Sequence, residues 1–141
     1  MAAAVMALSI STSLLVMGRG FSSLDSARCI SYASQIMQSE LEKMRLTQWG
    51  NGTGGAGSGT TGVSAYPTTP TVIPIAAAFT NVGDVGSRMT LTRIAANAPG
   101  HTTGMIQVTL TISWTTSDRH TLSRSYITYY GQNGLYDFFV L

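Results

Sequence analysis

Cysteine is nearly missing from this sequence: Cys29 is the only one in 141 residues. No disulfide can therefore close within one chain, and no thiolate cage for zinc is available. Charge is scarce too. Asp, Glu, Lys and Arg make up 10% of the residues, against roughly a quarter in ordinary soluble domains. A disordered chain needs charge and lacks apolar residues; this one is 44% hydrophobic, which excludes that class. Eight Lys and Arg against six Asp and Glu leave a net charge of +2. They are scattered, whereas a nucleic-acid binder gathers its cations along a row of phosphates, so no nucleic-acid partner is expected. The length suits one domain of modest core.

The apolar excess lies at the start. Residues 1–17 read MAAAVMALSISTSLLVM, with no charge before Arg19. A bilayer-spanning helix needs about twenty apolar residues, so the run is slightly short as it stands. A secretory signal peptide would open on Lys or Arg and close on a small-residue cleavage site. Here no charge leads, and the best such site, Ser26-Ala27, falls inside a continuing helical pattern. No Pro or Gly occurs from Phe21 to Trp49, and Ile30, Ala33, Met37, Leu41 and Met44 recur in steps of three and four, on one helical face. Asp25 and Arg28, Glu40 and Lys43, and Glu42 and Arg45 are acid-first pairs three apart, the favourable order along a helix.

The pattern predicts one long helix over residues 1–49, apolar over 1–20, amphipathic over 21–49 and loosened at Gly18 and Gly20. At 1.5 Å per residue it would extend roughly 70 Å, whereas a domain of about ninety residues has a radius of gyration near 12 Å. Its first half must protrude, with Val5, Met6, Leu8, Ile10, Leu14, Leu15, Val16 and Met17 meeting lipid or other copies of the chain. Folding back at Gly18 and Gly20 into an ordinary core is the alternative.

Residues 50–74 form a Gly/Thr/Pro-rich loop, with seven glycines among residues 50–62. Such a tract is expected to be flexible and to join layers without packing between them. Gly50-Asn51-Gly52-Thr53-Gly54-Gly55 matches GxGxxG formally, but phosphate cradling requires a strand before and a helix after. Asn51-Gly52-Thr53 is a formal glycosylation sequon. Residues 75–141 read as an antiparallel head. Ile106, Val108, Leu110, Ile112 and Trp114 alternate with Gln, Thr and Ser, the signature of a strand with one buried face. Residues 117–120 suit a turn, 122–130 a second strand, and 89–95 an earlier one. Asn133-Gly134 is a strong hairpin signal leading into 135–141, where Tyr136, Phe138 and Val140 share a face. The expected class is α+β, with the second half of the long helix covering a small antiparallel meander.

Catalytic chemistry finds little support. His101 and His120 lie in turn-like stretches without a third ligand. Asp118, His120 and Ser123 or Ser125 crowd one hairpin, and no Gly-x-Ser-x-Gly elbow occurs. Asp84, Asp118 and Asp137 lack the spacing of a calcium loop. The chain is expected not to be an enzyme, with no cofactor, metal or small-molecule substrate. Cys29 suits a small buried hydrophobe.

An apolar helix running into an amphipathic one, a Gly-rich loop and an antiparallel meander resembles a type IV pilin or type II secretion pseudopilin. The segments that carry the resemblance are Ser13-Leu14-Leu15-Val16-Met17-Gly18-Arg19-Gly20-Phe21, Ala33-Ser34-Gln35-Ile36-Met37-Gln38-Ser39-Glu40 and Glu42-Lys43-Met44-Arg45. Ser123-Arg124-Ser125-Tyr126 and Asn133-Gly134-Leu135-Tyr136 suit its terminal hairpin. The resemblance implies a minor-pilin-like subunit, held in the bacterial inner membrane by its helix with a periplasmic or extracellular head, then packed with other subunits into a filament. Two family features are missing: a basic leader ending in Gly with a following Phe-Thr-Leu-x-Glu-like segment, and a C-terminal disulfide. The competing expectation is a secreted small β-domain binding protein whose first ~27 residues are a signal peptide; the amino-terminal sequence of the mature protein separates the two.

From the missing start of a family-like helix, the genomic frame upstream of Met1 should encode a Gly, then an aromatic or apolar residue, then a Glu. Sequencing that region checks this, and an in-frame stop codon directly before Met1 contradicts it.

Overall fold

The computed structural model describes residues 2–80 and 86–132. Helix α1 (Ala2–Leu46) is continuous through Gly18 and Gly20, with neither the loosening nor the fold-back that those glycines could permit. A three-residue strand β1 (Thr71–Ile73), a single-turn helix α2 (Ala77–Thr80) and strands β2 (Met89–Asn97), β3 (Met105–Thr115) and β4 (Thr121–Gly131) follow. The sheet is an antiparallel meander in the order β1-β2-β3-β4. The fold is therefore α+β, a long N-terminal helix on a small antiparallel sheet. The expected strand over 135–141 and the hairpin at Asn133-Gly134 lie outside the described residues.

Register explains why one face is dry. Leu91 pairs with Ile112, Ala95 with Val108 and Met89 with Trp114, so apolar side chains of two neighbouring strands share rows on one face. Ile106, Val108, Leu110, Ile112 and Trp114 are all buried. Over them lies the second half of α1, which contributes Cys29, Ala33, Ile36, Met37 and Met44 to the same cluster, while Ile30 and Leu41 pack half-buried at its margin. Burying each Leu or Ile here contributes about 1.5–3 kcal/mol. The opposite face carries hydroxyls: Thr92 Oγ1 donates to the Thr111 carbonyl, and Thr111 and Ser125 share a hydrogen bond of 2.8 Å.

The Gly-rich loop departs from the flexible tract expected of it. Val63 and Ser64 are fully buried, and Gly52 and Gly55 are buried as well. Trp49 leaves the end of α1, enters the core and donates its indole N–H to the Gly52 carbonyl at 2.8 Å. Backbone bonds from Val63 to Gln48 and from Ser64 to Trp49 close the loop against the helix end. The glycines serve close approach here. A Cβ at Gly55 would stand 1.8 Å from Asn97 Oδ1, and one at Gly62, which adopts φ 70° and ψ −159°, would stand 2.4 Å from the Gln48 carbonyl oxygen. That backbone region is open essentially to glycine alone. Composition signalled flexibility because it reports chain freedom and not the room that a packed neighbour leaves.

β1 escaped sequence reading because it is three residues long between Pro70 and Pro74. Proline confines such a strand to a sheet edge, which is where it lies, pairing Ile73 with Leu91.

Gly62→Ala should therefore destabilise the head by about 1–3 kcal/mol through backbone strain alone, with the carbonyl clash added. Gly20→Ala, where a Cβ meets nothing within 4 Å, should leave it unchanged or slightly more stable. Thermal unfolding in detergent, followed by the fluorescence of buried Trp49 and Trp114, distinguishes them.

Candidate functional site

The first half of α1 carries the most unusual surface. Val5, Met6, Leu8, Ile10, Leu14, Leu15, Val16 and Met17 are each 58–70% exposed. Each contributes roughly 1.5–3 kcal/mol on leaving water. Their sum rivals the 5–15 kcal/mol that typically separates a whole folded domain from its unfolded chain. Such a surface is not one to leave in water. The hydroxyls interspersed with it are satisfied locally: Ser9 donates to the Val5 carbonyl at 2.9 Å, Ser11 to Ala7 at 2.8 Å and Thr12 to Leu8 at 3.0 Å. These bonds mask polar groups that would otherwise oppose entry into a hydrocarbon or a helix–helix interface. By length and composition this helix is able to cross a membrane, and none of its apolar window is buried against the rest of the chain.

Between the protruding half and the head sits a polar junction. Asp25 was expected to pair along the helix with Arg28. Its carboxylate instead accepts from Arg88 Nη2 at 3.1 Å and Nη1 at 3.4 Å, and from the Ser117 backbone N–H at 3.1 Å. One turn earlier, Ser22 donates its hydroxyl to Asp118. The helix is thereby tied both to the approach to β2 and to the turn between β3 and β4, where Arg119 adopts φ 62°. The Arg88 hydrogen bonds, reinforced by that of Ser117, hold the Asp25 carboxyl below its usual value of 3.8. The other two expected pairs form: Lys43 with Glu40, and Arg45 with Glu42 at 2.8 Å. Glu40 is nearly buried, its carboxylate held by Lys43 at the edge of the core.

At the far end of the head the helix is tied again. Tyr130 donates its hydroxyl to the Thr47 carbonyl and stacks on Trp49, with ring centroids 6.4 Å apart. Burial pushes its phenol above its ordinary value. Arg93, an inner-face position of β2, lays its guanidinium 3.7 Å over the Tyr66 ring supplied by the loop, a cation–π contact.

The residues considered for chemistry do not converge. His101 precedes β3 and His120 follows it, both exposed, so the length of an eleven-residue strand separates them. Ser125 bonds Thr111, and Asp118 bonds Ser22. Among the described residues no three His, Cys, Asp or Glu gather as a metal site; Asp84 and Asp137 lie outside them. The Asn51 side chain is occupied within the loop, bonding Thr60 through both its oxygen and its nitrogen. Cys29 is buried, and desolvation raises its thiol pKa, which keeps it protonated and unreactive near neutrality.

Sequence reading missed the junction, since Asp25 and Arg88 stand 63 residues apart and no periodicity links them. Comparison with protein-family models, curated proteins and solved structures found no match.

A carboxyl whose pKa is lowered on folding contributes stability that is present above its unfolded value and lost as pH falls through the folded one. Asp25→Asn should therefore lower the melting temperature at pH 7, and its deficit relative to the unsubstituted chain should shrink as pH falls below about 3.9. A pH series of thermal melts reads both curves.

Proposed function

We propose that the chain is a structural subunit of a type IV pilus or type II secretion filament, a minor pilin or pseudopilin. In this reading the first half of α1 anchors it in the bacterial inner membrane and later packs among the helices of neighbouring subunits. The observation that carries the reading is one unbroken helix, Ala2–Leu46, fully exposed and apolar over its first third and built into the head over its last. A subunit that passes from lipid to filament exchanges one apolar surrounding for another, so close packing, not transfer out of water, has to favour assembly. Ala2, Ala3 and Ala7 permit close helix approach, and the locally bonded hydroxyls of Ser9, Ser11 and Thr12 remove a polar penalty in either setting. The head stands at the periplasmic or extracellular side and presents the sheet to other subunits. The role is mechanical and calls on no cofactor, nucleic acid or small-molecule substrate.

The junction favours this reading over a secreted binder with a signal peptide. Cleavage near residue 27 would remove Ser22 and Asp25, which hold the turn at 117–118 and Arg88, and would leave buried Cys29 at a frayed end. A removable peptide has no physical reason to be built into the domain that it leaves.

Leu14→Arg or Val16→Arg should move the protein from the membrane to the soluble fraction, because an Arg at mid-bilayer costs about 2.5–3.5 kcal/mol on insertion scales. Fractionation of cells expressing each variant tests this. Equal membrane retention of both contradicts the anchor, and recovery of a mature protein beginning near residue 27 contradicts the subunit.

A further inference from the structure

The turn between β3 and β4 carries an arginine where its geometry suits glycine. The Thr116 backbone N–H donates to the His120 carbonyl and the Arg119 N–H to the Thr116 carbonyl, each at 2.9 Å, closing a loop over Ser117, Asp118 and Arg119. A three-residue hairpin loop of this kind puts its last residue in the left-handed region, which favours glycine. Arg119 occupies that position at φ 62°, with its side chain exposed.

Two ties fix the level of this turn along α1: Ser22 donates to Asp118, and Asp25 accepts from the Ser117 N–H. The exposed apolar surface of α1 continues to the same level through Phe21 and Leu24, 66% and 62% exposed. Counted back from Phe21 to Ala2, twenty residues of α1 cover about 30 Å, the depth of a bilayer's hydrocarbon. In a bilayer the next helical turn, with Ser22 and Asp25, falls among the headgroups, a layer of about 5–7 Å on each side. Arg19 and Arg28 flank that turn. Each Cα–Cβ bond of a helix tilts toward its N-terminus, so Arg28 leans back to this layer, and Arg19 reaches it by laying its stem along apolar surface. Arg19, Arg28 and Arg119 are exposed and form no ion pair among the described residues, nor does Arg124 farther along β4. The carboxylates at this level are engaged, Asp25 by Arg88 and Asp118 by Ser22.

We propose that the β3–β4 turn rests on anionic phospholipid headgroups, with Arg119, Arg28 and Arg19 drawn to the negative surface. The contact rests on the reading of α1 as a membrane anchor and adds the lipid class that the head selects. Three cations left without a carboxylate partner lie within a Debye length, about 10 Å, of that surface. A zwitterionic surface offers them no comparable net field.

The full chain in lipid nanodiscs tests this, with a fluorophore on Thr121→Cys beside the turn and nitroxide quenchers on the lipid headgroups; Cys29 is buried and shielded from the label. Quenching should be about twofold or more stronger in phosphatidylcholine containing phosphatidylglycerol than in phosphatidylcholine alone. Salt at about 1 M, where the Debye length falls to about 3 Å, should remove that excess. Arg28→Gln with Arg119→Asn should remove it too, Asn being tolerant of the left-handed region. The same fluorophore on Leu46→Cys, about 36 Å beyond Ser22 along α1, should show no lipid preference. Equal quenching at Thr121→Cys in the two lipids, or an excess that survives either the salt or the substitutions, overturns the proposal. The salt series leaves every arginine in place and so guards against a misfolded variant. Anchoring is read separately, by acyl-chain nitroxides quenching a fluorophore on Val16→Cys in both lipids. Quenching there without a lipid preference at Thr121→Cys rejects the headgroup contact alone, whereas no quenching there rejects the anchor and the contact with it.

Discussion

Burial of one apolar row of β3 beneath α1 is the contact on which the rest of this structure depends. Ile106, Val108, Leu110, Ile112 and Trp114 share one buried cluster with Cys29, Ala33, Ile36, Met37 and Met44 of the helix and with Trp49 and Val63 of the loop that leaves it. The sheet alone would expose that row to water, and the second half of the helix alone would expose Cys29, Ala33, Ile36 and Met44. Once they meet, the position and direction of the first half of α1 follow, because it belongs to the same hydrogen-bonded rod. The exposed apolar surface of Val5–Met17 is thus placed by packing farther along the same helix.

Much of this architecture is legible in the sequence because two periodicities are nearly pure. Alternation along β3 and steps of three and four along α1 locate both sides of the core, and the burial of Ala33, Met37 and Met44 lies on the expected stripe. The stripe is centred to one side of that reading: Cys29 and Ile36 are buried and Ile30 and Leu41 are marginal. A small sulfur-bearing side chain and an Ile beside Met37 gave no reason to prefer one flank over the other. Glu40 shows the same limit from the polar side. Its sequence partner Lys43 was evident, but its position at the edge of the core depends on where the sheet lies.

What escaped sequence reading was tertiary in origin. The Gly-rich loop has the composition of a free linker, yet Val63, Ser64 and Gly52 fill space between the helix end and the sheet. Glycine there reflects the lack of room for a Cβ, a property of neighbours contributed by Gln48, Asn97 and Ser64. The Asp25–Arg88 pair is equally invisible in the chain order. This charge pair, its side chains 23% and 21% exposed, joins the helix to the approach to β2 and helps to fix where the helix departs from the head.

The continuity of α1 through that point has an angular consequence. A helix advances about 100° and 1.5 Å with each residue, so the face that Leu14 and Met17 show to their surroundings and the face that Cys29 and Ile36 show to the sheet are locked in phase. One residue inserted or removed between Gly20 and Asp25 would turn the head by about 100° about the helix axis while shifting it only about 1.5 Å along it. The spacing between the exposed apolar half of the helix and the head thus sets the azimuth of the head about the helix axis, much as the pitch of a screw couples advance to rotation.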